Sequence, residues 1–440
     1  MISLSAAATA ALLQQGAKPA FTASLEYDTT DGKIRRDGAS ALDLTHIVTG
    51  FPALRASIRP TVRIPELSGI TVKVFNHKQM FNVFDSASWV GDTKWHRARL
   101  TVKMGVEIGQ TEEVQTTWVA ELDDVISDLD TNTIELSFVD PFARLRGSNF
   151  GNAKGSYGGW VPTAAVRNML EQAGFENDLD DASFKAAVAS EEAQQLELAI
   201  YNPGVNNETW WDAISFLLAH TNRGLFWGST GKIHTYRLGP TIASEVFAFN
   251  RTKNAIKIKA QNPGGSIINQ YNIFVQIPNT EDYTNYPFDD TSEAHGRYVE
   301  KLQSSIDVFG LLQEDVKYAW TWDPVSGQVT AARNQVLQLL DVTGLAPKVF
   351  TIEATLDTFV VELWDYVRVI DSAQSIDVRG FVFDKSVDWE GAKCTFRVFN
   401  IPLNAPDPTD PTAQYLQTNN GQLYDDGELI AGSAEDLVTP

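Results

Sequence analysis

Alternating apolar and polar positions dominate the first third of the chain and predict β-strands there. In the segment ITVKVF, residues Ile70, Val72 and Val74 fall on one face of an extended chain, and mostly polar residues fall on the other. Similar runs, separated by turn residues, follow at near-regular spacing: AFTASLEYD, ASIRPTVRI, GITVKVFN, ARLTVKMGVEIG, TTWVAELDDVISD and NTIELSFVD. This pattern predicts a small antiparallel barrel or sandwich over residues 20–150.

A helical period begins after a Gly-, Ser- and Asn-rich connection at residues 146–160. VPTAAVRNMLEQAGF predicts a helix over about 162–173, with a proline near its start and Gly174 after its end. NNETWWDAISFLLAHTNRG predicts a helix over about 208–220, capped by Asn207. The apolar stripe of this helix consists of Trp210, Trp211, Ile214, Leu217 and Leu218. A shorter helix is predicted in DASFKAAVAS, between the other two.

Strand-like runs return after the helix that contains the tryptophan pair. RGLFWGSTGKIHTYRL predicts a β-hairpin over 224–238, and further strands follow to about residue 277. A polar segment and a helix at roughly 327–341 precede a second series of strands: KVFTIEATL, VELWDYVRVID and IDVRGFVFDKSVDWEGAKCTFRVFN. We assign this series to a second barrel over residues 310–403, which leaves 151–309 as a mixed α/β middle region.

The two ends of the chain differ from the rest. Residues 1–19 contain a run of small residues that predicts a short helix from Ser5 to Gln15. Residues 404–440 hold seven acids, four prolines and no lysine or arginine, so we expect this C-terminal tail to become ordered only by docking. The predicted fold class is α+β and mostly β, with two small antiparallel β-barrels, a mixed α/β middle region between them and an extended acidic tail.

The predicted hairpin contains glycines and a lysine that come close to a phosphate-binding loop. Such a loop requires four residues between its first glycine and a Gly-Lys pair, then serine or threonine, and then a helix. Phe226 stands at the position of the first glycine, and Ile233 stands where the hydroxyl residue is required. The β-branched and aromatic residues after Lys232 favour a strand. The sequence therefore favours a hairpin over a nucleotide site.

The charge of the chain bears on its partners. Its 440 residues include 56 acids and 35 bases, which gives a formal net charge of −21. The densest basic stretch, KNAIKIK at 253–259, alternates as expected for the solvent face of a strand and forms no stripe for nucleic acid. An acidic surface would suit a conduit through which DNA passes without adhering.

No apolar run reaches the length of about 18 residues typical of a membrane span, so we predict no lipid insertion.

Candidate catalytic and metal-binding residues are scattered. The six histidines lack metal-binding spacing, and a single cysteine, Cys394, excludes a cysteine-built metal site and an internal disulfide. Carboxylates lie close together at Glu121–Asp124 and Asp289–Asp290, as in a glycosidase, but neighbouring acids are expected by chance among 56. We therefore predict no catalytic, cofactor-binding or metal-ligating residue, no cofactor and no enzymatic activity.

Tryptophan is abundant, with eleven residues in the chain. Exposed tryptophans can form a sugar-binding platform. Four of them lie in strongly apolar surroundings, which favours the core or a subunit interface instead: Trp210, Trp211, Trp364 and Trp389.

The order of several short motifs is more informative than any one of them. A strand-rich region ends in TIELSFVDPFARLRG, and a helix and the Gly-aromatic, Gly-Lys hairpin follow. Next come IINQYNIFVQI, the segment SSIDVFG at 304–310, a helix, and the strand VELWDYVRVID. Over about residues 20–403 this order resembles the baseplate or tail-tip hub proteins of long-tailed bacteriophages. One departure is Trp364, which stands where that family usually has a glycine before the aspartate.

The resemblance implies a structural role in a virion assembled in the host cytoplasm. Such a hub is a trimer that caps the tail tube and lines a channel for tape-measure protein and DNA. Its expected neighbours are tail-tube or distal tail proteins above and a central spike or fibre protein below. Two alternatives remain open from the sequence: a carbohydrate-binding or depolymerising tail-tip protein that contacts the host surface, and a hexameric distal tail ring protein.

Overall fold

Two curled β-sheets, a helical insert and a small third sheet make up a computed structural model of the chain. The residues that the structure describes are 2, 4–12, 18–26, 41–58, 65–66, 69–76, 98–109, 111–128, 132–147, 157–193, 196, 198, 209–228, 230–237, 245–261, 267–275, 297–318, 335–337, 339–340, 343–344, 348–400, 416–417, 423–425 and 428–429. The fold is α+β and mostly β, with half-barrel sheets, as the sequence predicted.

The described helices are mostly short. They are α1 (Ala6–Leu12), α2 (Ala143–Gly147), α3 (Pro162–Leu170), α4 (Asp181–Ala193), α5 (Trp210–His220) and α6 (Gln303–Phe309). A π-helical turn at Glu171–Phe175 extends α3, and 3-10 turns lie at Leu356–Val360 and Ser372–Gln374. None of the helices in the described ranges is both long and apolar enough to cross a membrane.

The described strands are, in chain order, β1 (Pro19–Glu26), β2 (Ala41–Asp43), β3 (Val48–Gly50), β4 (Leu54–Ile58), β5 (Pro65–Glu66), β6 (Ile70–Phe75), β7 (Arg99–Ile108), β8 (Thr111–Asp128), β9 (Thr133–Val139), β10 (Arg223–Trp227), β11 (Ile233–Arg237), β12 (Phe247–Asn250), β13 (Ala255–Gln261), β14 (Gln270–Val275), β15 (Arg297–Lys301), β16 (Gln313–Tyr318), β17 (Lys348–Thr355), β18 (Tyr366–Asp371), β19 (Ile376–Asp388), β20 (Lys393–Asn400), β21 (Leu416–Gln417), β22 (Leu423–Asp425) and β23 (Glu428–Leu429).

The first sheet has the strand order β2-β1-β7-β8-β9-β6-β3, and each neighbouring pair is antiparallel. Strands β2 and β3 lie at opposite ends of this order but are joined by only four residues, 44–47, so the sheet must curl. The predicted inward face of β6 is confirmed, since Ile70, Val72 and Val74 are buried. Burial of every second residue is what holds the register of such a strand.

The second sheet has the order β12-β18-β19-β20-β17-β13 and repeats the first. The two orders correspond strand for strand: β2 to β12, β7 to β18, β8 to β19, β9 to β20, β6 to β17 and β3 to β13. The first sheet has one additional strand, β1, between β2 and β7. Strand directions also agree, because β12 is parallel to β18 and the antiparallel strand β1 makes β2 parallel to β7. The long strands β8 and β19 each carry a register shift against the strand that follows, at 122/124 and 382/384.

Four strands pair differently from the sequence assignment. Strands β12 and β13, assigned to the middle region, belong to the second sheet, and β4, assigned to the first barrel, pairs with β19 of the second. Strand β16, assigned to the second barrel, instead lies parallel to β14 in a three-stranded sheet with β15. These assignments were wrong because apolar alternation identifies a strand but does not identify its distant partner.

The helical insert follows the predicted pattern with different ends. Helix α5 begins after Thr209 rather than Asn207: the hydroxyl of Thr209 accepts from the amide of Asp212, whose carboxylate accepts from the amide of Thr209. Trp210 and most of the predicted stripe are buried, whereas Trp211 is only partly buried. Beyond α3, Gly174 adopts a φ of 88°, as expected for a glycine that ends a helix.

Other predictions fall mainly outside the described residues. Most of the polar loop predicted at 278–300 and most of the helix predicted at 327–341 lie there. Residues 297–300 belong to strand β15 rather than to a loop, and Gln335–Leu337 are helical. The predicted N-terminal helix is present over Ala6–Leu12, and the remainder of that prediction is outside the described ranges. In the tail, only the backbones of β21–β23 are described, and they form a small antiparallel sheet.

Candidate functional site

The loop that resembles a phosphate-binding motif is the turn of a β-hairpin. Strands β10 and β11 pair from Arg223–Arg237 to Trp227–Ile233, and Gly228 donates its amide to the carbonyl of Lys232 at 2.9 Å. The Lys232 ammonium donates to the carbonyl of Asn177 at 2.5 Å. A strand rather than a helix follows this lysine, so the loop lacks the helix that comes directly after the lysine in a phosphate-binding motif.

Buried charges connect the first sheet to the helical insert. Arg99 of β7 donates two hydrogen bonds to the carboxylate of Asp178, at 2.9 and 3.2 Å. Glu121 of β8 lies 2.9 Å from Arg144 of α2 and 3.8 Å from Arg99. Burial lowers the pKa of Arg99 to about 10. The four groups balance in charge, which makes this cluster a structural clamp rather than a pair of catalytic acids.

The sequence presents Glu121 as one of three neighbouring carboxylates and did not predict its partners. Asp123 and Asp124 of the same run are exposed, while Glu121 points into the buried clamp. Asp289 and Asp290 lie outside the described residues. The alternation of β7 gave no signal for the clamp, because Arg99 falls on the same face of the strand as Thr101 and Lys103, where a polar side chain is expected to face solvent.

A small cavity lies between the first sheet, the hairpin and the second sheet. It has a volume of about 30 Å³ and its lining includes Asp140, Trp118, Trp227 and Leu363. That volume holds roughly one water molecule and is far below the several hundred Å³ of a small-molecule site. Burial raises the pKa of Asp140 to about 7, although the carboxylate accepts from the amide of Phe142 at 2.8 Å.

A larger open groove, of about 400 Å³, runs between α3 and α4. Trp160 lies at one side of it and is 40% exposed. Two of the charged groups of its lining are already paired, since Arg167 donates to Glu171 at 2.9 Å. The other tryptophans considered as a sugar platform are in or against the core: Trp210, Trp211, Trp364 and Trp389.

The two sheets share one apolar core, and β4 connects them directly. Strand β4 comes from the N-terminal part of the chain but pairs with β19 over Asp384–Val387. Its Arg55 forms an ion pair with Asp384 at 2.6 Å, and its carbonyl accepts from the indole of Trp118 in the first sheet at 3.2 Å. Buried side chains of both sheets belong to a single cluster. The arrangement holds two similar half-barrels in one rigid frame.

Trp364 ties the hairpin to the second sheet. Its backbone has a φ of 67°, a left-handed conformation that favours glycine. Its ring stacks on Phe381 of β19 at 4.7 Å and contacts Tyr236 of β11 at 4.2 Å. The resembled hub proteins usually have a glycine at this position, which agrees with the left-handed backbone. The ring contacts with Phe381 and Tyr236 explain how a tryptophan is accommodated here.

Metal binding has no support in the described part of the chain. There, no group of three or more histidine, cysteine, aspartate or glutamate side chains is arranged to hold a metal ion. The most extensive features of the described residues are therefore architectural: a duplicated sheet, a shared core and a charged clamp.

Comparison with known proteins finds a similar fold in a solved tail protein. No protein-family model matches the sequence, and no curated protein matches it significantly. Among solved structures, the tail protein from Neisseria meningitidis MC58 is 11% identical with a TM-score of 0.51, and the match covers 86% of this chain and 96% of that one. The 43 kDa tail protein of prophage MuSo2 from Shewanella oneidensis is 12% identical, with a TM-score of 0.48 and coverage of 86% and 98%.

A third similar structure is the prophage tail protein gp18 from Listeria monocytogenes EGD-e, at 10% identity and a TM-score of 0.46, with 87% of this chain and 94% of that one covered. At such low identity only the fold is comparable. The likeness to the Neisseria protein covers most of both chains. For the fold, it confirms the resemblance to tail proteins that the order of motifs indicated.

Proposed function

We propose that this chain is a structural hub protein of a phage tail tip or baseplate, which caps the tail tube and joins it to the tip. The observation that carries the proposal is the repeated strand order of the two sheets within one chain. Three copies would present six similar half-barrels, alternately first and second. Such a ring can contact a six-fold tube on one side and a three-fold spike or fibre on the other.

The proposed neighbours follow from that position in the virion. Tail-tube or distal tail proteins lie above the ring, and a central spike or fibre protein lies below it. Tape-measure protein and DNA pass through the channel during genome ejection, and the net charge of −21 limits the adhesion of a passing polyanion. The chain is assembled into the tail in the host cytoplasm, and the proposed role requires no catalysis.

Native mass spectrometry of the purified chain tests the proposed stoichiometry. We expect a species of three copies, and one such trimer bound per six-fold tube end when tail-tube protein is added. A stable species of six copies would instead support a distal tail ring protein. A strict monomer, both alone and with tail-tube protein, would contradict the hub.

DNA binding and polysaccharide cleavage provide two further tests. Titration of labelled duplex DNA at low salt should show no tight binding, because the chain carries 21 more acids than bases. Tight binding that weakens with salt would contradict a non-adhesive channel. Cleavage or retention of host polysaccharide that is abolished by Trp160→Ala, in the groove between α3 and α4, would support the host-contacting alternative.

A further inference from the structure

An unusual run of exposed apolar side chains follows α6. Val308, Phe309, Leu311 and Leu312 are 72%, 46%, 54% and 39% exposed, although they lie within five residues of one another. Residues 307–315 are all exposed. Large apolar side chains clustered on a surface mark an interaction site more often than isolated ones do. We call residues 307–315 the apolar ridge.

A buried asparagine holds the apolar ridge in shape. The side chain of Asn269 donates to the carbonyl of Gly310 at 2.8 Å and accepts from the amide of Leu312 at 2.8 Å. The amide of Asn269 also donates to the carbonyl of Leu312 at 2.9 Å, and Gly310 ends α6 with a φ of 77°. A surface fixed in this way loses little entropy when a partner covers it.

The apolar ridge also continues into the edge of a sheet. Strand β16 lies at one end of the order β15-β14-β16, so its outer side has no strand beside it among the described residues. Edge strands that carry exposed apolar residues are normally covered. The stretch 303–316 contains three acids, Asp307, Glu314 and Asp315, and no base.

A surface of opposite charge lies elsewhere on the same chain. The stretch 251–261 contains four bases and no acid, in a chain whose net charge is −21. The bases, all exposed, are Arg251, Lys253, Lys257 and Lys259, and none forms an ion pair with a described residue. Strand β13, in this stretch, ends the order of the second sheet. We call 251–261 the basic edge.

The basic edge has an apolar centre that suits the ridge. A register shift between Ala255 and Lys257 turns Ile256 outward, and this side chain is 53% exposed. Lysine side chains can cover apolar surface with their methylene groups while their ammonium groups pair with carboxylates. The alternation of KNAIKIK predicts that its lysines form the solvent face of a strand, so the outward Ile256 was not predicted.

We propose that the apolar ridge of one copy docks on the basic edge of the next copy, head to tail around a ring. Ridge-to-ridge pairing would bring six carboxylates together, and the acidic tail, with seven acids and no base, is repelled by the ridge in the same way. Contact between two different surfaces of the same chain propagates until rotation closes the ring. The inference rests on the proposed homo-oligomer and names the surfaces that build it.

Charge reversal tests the proposed contact. Lys257→Glu with Lys259→Glu should weaken self-association by at least about tenfold, and Asp307→Lys with Glu314→Lys should do the same. A chain that carries all four changes should recover association, because the charges are complementary again. The matched control is Lys103→Glu with Lys393→Glu, which reverses two exposed lysines outside the basic edge and should leave self-association unchanged. Unchanged association in both reversed chains would overturn the contact.

Cysteine cross-linking separates this contact from the stoichiometry. Val308→Cys or Ile256→Cys alone should give no cross-link to itself with a short bismaleimide, whereas both together should link neighbouring copies into a closed ring. Cys394 is buried, and burial raises the pKa of its thiol to about 12, so it should not react. Self-linking through Val308→Cys, or association without any link in the double variant, would overturn the contact. A linked ring of a number other than three would instead contradict the trimeric hub.

Discussion

Replacing Asp178 with asparagine tests whether the buried clamp holds the helical insert on the first sheet. Asp178 is fully buried and receives both hydrogen bonds from Arg99. Removing one partner of a buried ion pair costs about 3–5 kcal/mol, because the remaining charge is left without compensation. Glu121 stays 3.8 Å from Arg99 and offers partial compensation. We therefore expect a loss of about 3 kcal/mol, at the low end of that range.

Native-state hydrogen exchange can measure this loss locally. The amide of Ile233 donates to the carbonyl of Asp178 at 2.6 Å, so its exchange reports opening at the clamp. Because about 1.4 kcal/mol corresponds to a factor of ten, the amide should exchange roughly 100-fold faster in the variant. Asp181→Asn is the matched control: its exposed pair with Arg167 is worth at most about 1 kcal/mol. Equal exchange in the two variants would refute the clamp.

A paired replacement separates charge from packing. Arg99→Met together with Asp178→Leu removes both charges and leaves Glu121 beside Arg144 at 2.9 Å. Apolar residues of similar volume often replace a buried ion pair without loss of stability. We expect this double variant to exchange more slowly at Ile233 than Asp178→Asn. Faster exchange would mean that the geometry of the clamp, rather than charge compensation, stabilises the junction.

Two further perturbations have signs that the structure determines. Trp364→Ala should lower the free energy of unfolding, measured in urea, by about 3–5 kcal/mol through lost ring contacts. Trp364→Gly should lose about 1 kcal/mol less, because the backbone φ of 67° at this position favours glycine over alanine. An alanine variant as stable as the glycine variant would contradict this strain. Burial raises the pKa of Asp140 to about 7, so its ionisation opposes folding and wild-type stability should fall from about pH 4 to 7 relative to Asp140→Asn. Asp377→Asn is the control: it removes an exposed carboxyl whose pKa is lowered mainly by a hydrogen bond from Arg368. Its stability difference from wild type should stay constant between pH 5 and 7. A constant difference for Asp140→Asn over the same range would refute the raised pKa of Asp140.

Local patterns were sufficient to predict most elements. The alternation of Ile70, Val72 and Val74 and the period of the α5 stripe are properties of a few consecutive residues, and both are borne out by burial. The cap at Thr209 was missed by two positions, because several polar residues before α5 can accept an amide. Predictions from local chemistry thus failed mainly at element ends.

The same local patterns could not predict which strands pair when they lie far apart in the sequence. Strand β4 has the composition of its neighbours in sequence, yet it pairs with β19 more than 300 residues later. The partners of Arg99 and Glu121 lie in distant parts of the chain, and Arg99 stands at a polar position of its strand, so the sequence did not predict the clamp. In the resembled hub proteins a glycine usually stands at the position of Trp364, and that glycine was a sequence signal for a left-handed backbone.

The misassigned strands bear most directly on the proposed role. A ring of six half-barrels can match a tube only if the two half-barrels of each chain keep a fixed spacing, since flexible domains would not present a regular surface. Strand β4 crosses from one sheet to the other, Arg55 is paired with Asp384, and the rings of Phe21 and Trp389 lie 5.2 Å apart across the junction. Two independent barrels on a linker would have needed none of these contacts. The exchange of β4 therefore supports a rigid adaptor more strongly than the duplication alone.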